Sequence, residues 1–147
     1  MSNLVYIING PSINMLGVRE PKIYGIETYT DLVDIISKYA NEVGFEVKIL
    51  QSNHEGDLVD YIQDAYKNNA FGIVINPGAY THTSIAILDA LRACSIRTVE
   101  VHISDIEKRE DFRKTSYVSL YAEKVIKGHG IKGYIEALDY LCKLTSQ

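Results

Sequence analysis

Apolar runs rich in β-branched residues recur along this chain, and segments of helical period separate them. Leu4-Val5-Tyr6-Ile7-Ile8 stops abruptly at Asn9-Gly10-Pro11, and Phe71-Gly72-Ile73-Val74-Ile75 stops at Asn76-Pro77-Gly78. Unbroken runs of this length read as strands buried on both faces and ended by turn residues. Residues 45–50 alternate instead, which places that strand nearer a sheet edge. Residues 97–103 supply a fourth run and 123–126 a short fifth. Between them, 28–43, 55–68, 83–93 and 131–144 carry apolar residues at helical spacing. The first helix is expected to pack through Leu32, Ile35, Ile36, Tyr39, Ala40 and Val43, capped by Thr28 or Thr30 and stopped by Gly44. The second packs through Leu58, Ile62, Ala65 and Tyr66, and the last through Ile135, Leu138, Leu141 and Leu144. Strands alternating with helices imply an α/β chain with a parallel sheet covered on both faces by right-handed crossovers. The size suggests a flavodoxin-like three-layer sandwich, five strands in the order 2-1-3-4-5, as one domain over residues 1–147.

Composition narrows the classes. A formal net charge of -4 without a long basic run argues against nucleic acid as a partner. No apolar segment approaches the roughly 20 residues that span a bilayer, and the first residues lack a signal-peptide pattern. Cys94 and Cys142 are isolated, without metal-type spacing or a disulfide framework. The reading expects a cytoplasmic protein.

Polar residues gather at three strand ends: 9–25, 76–84 and 99–104. In the expected order these ends meet at the topological switch point, where ligands bind in open α/β sheets. Glu100 and His102 are two apart on a strand, so they share a face. A carboxylate beside an imidazole fixes its tautomer and favours its protonated form, which suits a general acid, though such pairs are also structural. Arg19 and Tyr24 share the long first loop, and a cation beside a tyrosine is what phenolate chemistry needs. By themselves the two are weak evidence in a chain with 11 tyrosines. In NPGAYTHTS (76–84), helix capping accounts for Thr83 or Ser84 but not for Asn76 and His82. A turn before a helix start favours an anionic ligand such as a carboxylate. Residues 105–114 read as a short exposed helical turn, with Lys108, Arg109 and Lys114 solvated and Arg113 four residues after Arg109. GHGIKG (128–133) follows the last strand and is discounted as a dinucleotide loop; no nucleophile elbow, phosphate loop or metal-ligand spacing occurs.

Together, INGPSINMLGVREPKIYG, QSNHEGDLVDYI, INPGAYTHTSIAILDAL, VEVHISDIEKREDFRKTSYVS and GHGIKGYIEAL resemble the type II 3-dehydroquinases across essentially the whole chain. The resemblance implies reversible anti-dehydration of 3-dehydroquinate to 3-dehydroshikimate through an enolate, with no cofactor, no metal and no Schiff-base lysine. It implies Tyr24 as the base, Arg19 as the lid cation that lowers its pKa, and His102, oriented by Glu100, as the acid. Asn76, His82 and Arg113 match ligands of substrate hydroxyls, the Ile103 and Ser104 amides a carboxylate clamp, and Asp89 a residue reaching a neighbouring subunit. A homo-oligomer of trimers assembled into a dodecamer is the implied partner state. Three stretches depart from the family pattern. Ser12 stands where the family has an Asn that helps hold the water or enolate oxygen, which raises the alternative of a catalytically weakened binding protein. Ser104-Asp105-Ile106-Glu107 replaces Ser-Asn-Ile-His and makes the rim more acidic. Leu88 stands where an Arg is common, which bears on subunit contacts.

Overall fold

Strands β1 (Leu4–Asn9), β2 (Glu46–Gln51), β3 (Gly72–Asn76), β4 (Arg97–His102) and β5 (Lys124–Lys127) pair in parallel in the order 2-1-3-4-5. The computed structural model describes residues 2–18 and 20–145, and the side chains of Pro21 and Tyr24 lie outside that description. The helices are α1 (Pro21–Tyr24), α2 (Tyr29–Val43), α3 (Glu55–Lys67), α4 (Ile85–Cys94) and α5 (Lys132–Leu144). Strand period 2 sends neighbouring side chains to opposite faces. Val5, Ile7, Val74, Val99 and Val101 therefore pack with Leu32, Ile36, Ala137 and Leu138 of α2 and α5. Tyr6, Ile8, Ile73 and Ile75 pack with Leu58, Ile62, Ile87 and Leu91 of α3 and α4. The arrangement is the flavodoxin-like α/β sandwich that the alternation predicts, with the half-exposed β2 at one edge.

Local chemistry fixes the helix ends. The Thr28 hydroxyl accepts the Asp31 N–H at 3.1 Å while the Asp31 carboxylate accepts the Thr28 N–H at 2.9 Å, a reciprocal capping box. Gly44 ends α2 at φ 86°, a left-handed geometry that a residue with a Cβ adopts at a cost.

Several expected inward positions point elsewhere. Ile35 is 40% exposed and Tyr66 61% exposed. Leu32, Ile36 and Ala40 repeat every four residues and form the buried stripe of α2, so Ile35 lies about 100° off it. Leu58, Ile62 and Ala65, spaced four and then three residues apart, form the buried stripe of α3 and turn Tyr66 outward. On α5 the buried stripe is Tyr134, Ala137, Leu138 and Leu141; Leu144 is half-buried and packs against that core as expected, whereas Ile135 is half-buried outside it. The segment 105–114 is two 3-10 turns, Ile106–Lys108 and Asp111–Arg113, anchored by a buried Ile106. The first loop holds a 3-10 turn, Ile13–Met15, before α1. It is drawn against β3 by the Gly10 N–H, which donates to the Asn76 carbonyl at 2.8 Å. A Cβ at Gly10 would stand 2.4 Å from the Pro77 carbonyl oxygen, so only glycine permits this approach.

Candidate active site

β1, β3 and β4 end together, and their carboxyl ends hold the polar clusters. Asn9 and Asn76 are register partners in β1 and β3, while Ile75 pairs with Glu100 in β4. One pocket is lined by Ser12, Asn76, His82, His102, Ile103, Ser104 and Arg113, and by Arg109 as well. Asp89 is exposed on α4 and stands outside this pocket. Arg19 lies outside the described residues, as does the Tyr24 side chain. Ile23 and Gly25, which bracket Tyr24, line a groove that shares Ile103, Ser104 and Arg109 with the pocket.

At the pocket floor the His102 Nε2 and a Glu100 carboxylate oxygen are hydrogen-bonded, both residues being buried. A carboxylate can only accept, so Nε2 carries the proton and Nδ1 is the nitrogen left for a bound molecule. Burying a carboxylate is costly unless donors surround it. Ser119 Oγ donates to Glu100 Oε1 at 2.6 Å and Ser116 Oγ to Oε2 at 2.8 Å. The Thr81 hydroxyl sits 2.6 Å from Ser116 Oγ and 3.3 Å from Glu100 Oε2, so its one proton supports the same cage. Burial pushes the Glu100 pKa up, but His102, Ser119 and Ser116 outweigh it and hold the group below the usual carboxylate range. Sequence reasoning missed Thr81, Ser116 and Ser119. The three-residue spacing of two serines within TSYVSLYA was the available signal.

His82 Nδ1 lies 2.6 Å from the Thr115 carbonyl, which accepts, so the neutral ring presents Nε2 as an acceptor. Desolvation lowers its pKa, with Arg113 and His102 adding to the effect against the Thr115 carbonyl. Ser12 sits at φ 69°, and its N–H donates to Asn53 Oδ1 at 3.0 Å. Gln51 Nε2 donates to the Gly10 carbonyl at 3.2 Å and so braces the same loop from β2. The Ile103 and Ser104 N–H groups donate no hydrogen bond among the described residues.

Within the charged segment, Lys108 is exposed as expected, but the solvated reading fails for Arg109. Its side chain is only 14% exposed, and its Nη2 lies 3.8 Å from Glu20 of the first loop. Burial of Ile106 turns the segment onto the pocket and carries Arg109 with it. Lys114 is solvated as expected. Glu107, which adds acidity to the rim, is paired with Lys127 at 2.6 Å. Among the described residues no His, Cys, Asp and Glu side chains cluster in a way that could hold a metal ion.

The fold and pocket define an α/β protein of flavodoxin-like topology with a buried carboxylate–imidazole pair at the switch point. A sequence model of the family described as Dehydroquinase class II matches residues 3–142. The chain belongs to that family. A 3-dehydroquinate dehydratase of Cereibacter sphaeroides is 53% identical over 146 residues, covering 99% of both chains. The crystal structure of a type II dehydroquinase from Butyrivibrio crossotus superposes with a TM-score of 0.94 at 50% identity, over 95% of this chain and 97% of that one. A type II dehydroquinase from Propionibacterium acnes gives a TM-score of 0.92 at 40% identity, over 97% and 98%.

Proposed function

We propose that this chain is a hydro-lyase that reversibly dehydrates 3-dehydroquinate to 3-dehydroshikimate in the shikimate pathway. The observation that carries the reading is the buried Glu100–His102 pair, set in one pocket with Ser12, Asn76, His82 and Arg113. Tyr24 removes the proton alpha to the ketone, with Arg19 stabilising the phenolate, and the electron pair moves onto the ketone oxygen as an enolate. Collapse of the enolate expels the β-hydroxyl, which leaves as water with a proton from His102. Glu100 offsets the charge of the imidazolium and holds its tautomer. The neutral His82 accepts a hydrogen bond from a substrate hydroxyl, Asn76 and Arg113 bind further hydroxyls, and the Ile103 and Ser104 amides bind the carboxylate. Ser12 hydrogen-bonds the enolate oxygen or the departing water; its side chain caps no backbone N–H of the turn that follows, and the residue lines the pocket.

The rise in enone absorbance on mixing with 3-dehydroquinate tests this reading. Wild-type turnover is expected, and Tyr24→Phe is expected to lower kcat by about 10² or more. Ser12→Asn suits the left-handed backbone at this position and adds a second donor, so kcat is expected to rise by about tenfold. A silent wild type that Asn restores would replace the enzyme by a small-molecule binding protein on the same scaffold.

The same reading gives a homo-oligomer, trimers assembled into a dodecamer. Ile85 and Asp89, four apart, share an exposed face of α4, which is the placement a residue serving a neighbouring site requires. Sedimentation equilibrium is expected to give a mass twelve times the 16.5 kDa of one chain. A monomer with full activity would remove Asp89 from the site. Among the described residues no helix is long and apolar enough to cross a membrane.

A further inference from the structure

Tyr134 is fully buried in the α2–α5 face of the core, yet its hydroxyl reaches the carboxyl ends of β1 and β3. There it joins two buried asparagines in a chain whose direction is fixed from one end. The Gly78 N–H can only donate, and it lies 3.1 Å from Asn76 Oδ1, so that end of the amide is the oxygen. Asn76 Nδ2 then donates to the Tyr134 oxygen at 2.9 Å. The Tyr134 hydroxyl spends its single proton on Asn9 Oδ1 at 2.7 Å. This orientation leaves Asn9 Nδ2 buried without a hydrogen-bond partner among the described residues. Burial raises the pKa of the half-buried Tyr29, and its hydroxyl is near enough for the Asn9 amide to oppose that larger effect, but it makes no well-formed hydrogen bond with Asn9 Nδ2. An unpartnered buried donor is uncommon and asks for an explanation. Holding Asn76 in one orientation supplies it, since flipping Asn9 to satisfy its amide would take the acceptor away from Tyr134.

We infer that Tyr134 is a positioning residue of this active site, acting through Asn76 by tethering its amide so that the remaining N–H and lone pair face the pocket. The inference rests on the reading that Asn76 binds a substrate hydroxyl. Neither Tyr134 nor Asn9 lines the pocket, and among the described residues the hydrogen bonds that link Tyr134 to a pocket-lining side chain run through Asn76.

The test is a double-mutant cycle on kcat/KM with 3-dehydroquinate, thermal unfolding being followed in parallel. Tyr134→Phe keeps the ring in the core and removes one tether, and is expected to lower kcat/KM by about tenfold. In an Asn76→Ala background the same substitution is expected to change kcat/KM by no more than about twofold, because the group it positions is gone. A purely structural role would lower stability equally in both backgrounds and leave that asymmetry absent. Asn9→Ala approaches the chain of bonds from its other end and serves if the Phe variant fails to fold. Its loss is expected in the wild-type background and not beside Asn76→Ala. Equal losses in both backgrounds, or an unchanged kcat/KM in Tyr134→Phe, would overturn the inference while the role of Asn76 stands. An Asn76→Ala enzyme of wild-type kcat/KM would remove that role, and the inference with it.

Discussion

His102→Ala is expected to lower kcat by about 10²–10⁴ while leaving substrate affinity within severalfold of wild type. The hydroxyl that leaves in the elimination is a poor leaving group without a proton, and His102 is the buried imidazole that a carboxylate orients in this pocket. In the proposed reading, substrate affinity is spread over groups that the substitution does not touch, including the pocket-lining His82, Asn76 and Arg113 and the N–H groups of Ile103 and Ser104. Loss of the ring also removes a donor from Glu100. Ser116 and Ser119 still donate to that carboxylate, one to each oxygen, so the site keeps its shape at a cost of about 1–3 kcal/mol in stability. Steady-state kinetics on the folded variant separate the two effects. A kcat within tenfold of wild type would assign the proton to another donor.

The fold was legible wherever burial imposes a period. Strands β1 and β3 are apolar on both faces because both are interior to the sheet, and that is why Leu4–Ile8 and Phe71–Ile75 read as strands without any alternation. The same period of two made Glu100 and His102 legible as a pair. Periodicity failed where the chain turns instead of extending. Ser116 and Ser119 bracket the start of a 3-10 turn, Val118–Leu120, too short to carry a hydrophobic stripe, so their three-residue spacing put them on one side of a turn without showing that it faces Glu100. Arg109 was hidden by its neighbours, because a run of charges resembles a solvated surface until one apolar residue, Ile106, pulls the segment inward. Tyr134 was hidden by the opposite effect. Its ring belongs to the apolar stripe of α5, and a stripe does not reveal where a terminal hydroxyl ends. The roles of Tyr24, Arg19 and Ser12 were read from motif resemblance, since irregular loops offer no period to reason from.

Glu100→Gln is expected to lower kcat by about 10²–10⁴, because loss of the carboxylate that orients a catalytic imidazole frees the wrong tautomer. The substituted amide either accepts from Nε2–H without offsetting the imidazolium charge, or donates to Nε2 and moves the proton to Nδ1. Both outcomes spoil the acid while preserving the volume of a side chain that has no solvent exposure. The substitution also carries a signature in stability. Burial opposes ionisation of Glu100, but the bonds from His102, Ser119 and Ser116 win and its pKa in the folded chain is lowered. A carboxylate with a lowered folded pKa stabilises the native state above its unfolded value, about 4.3, and loses that contribution as pH falls toward the folded pKa. Wild type is therefore expected to lose stability on acidification more steeply than Glu100→Gln. The gap between their urea midpoints should narrow as pH falls from about 7 toward 3. A gap that stays constant would mean that the buried carboxylate gains nothing from its cage. A normal kcat in the same variant would leave the pair as a structural contact at a strand end, the alternative that two residues on one strand face always carry.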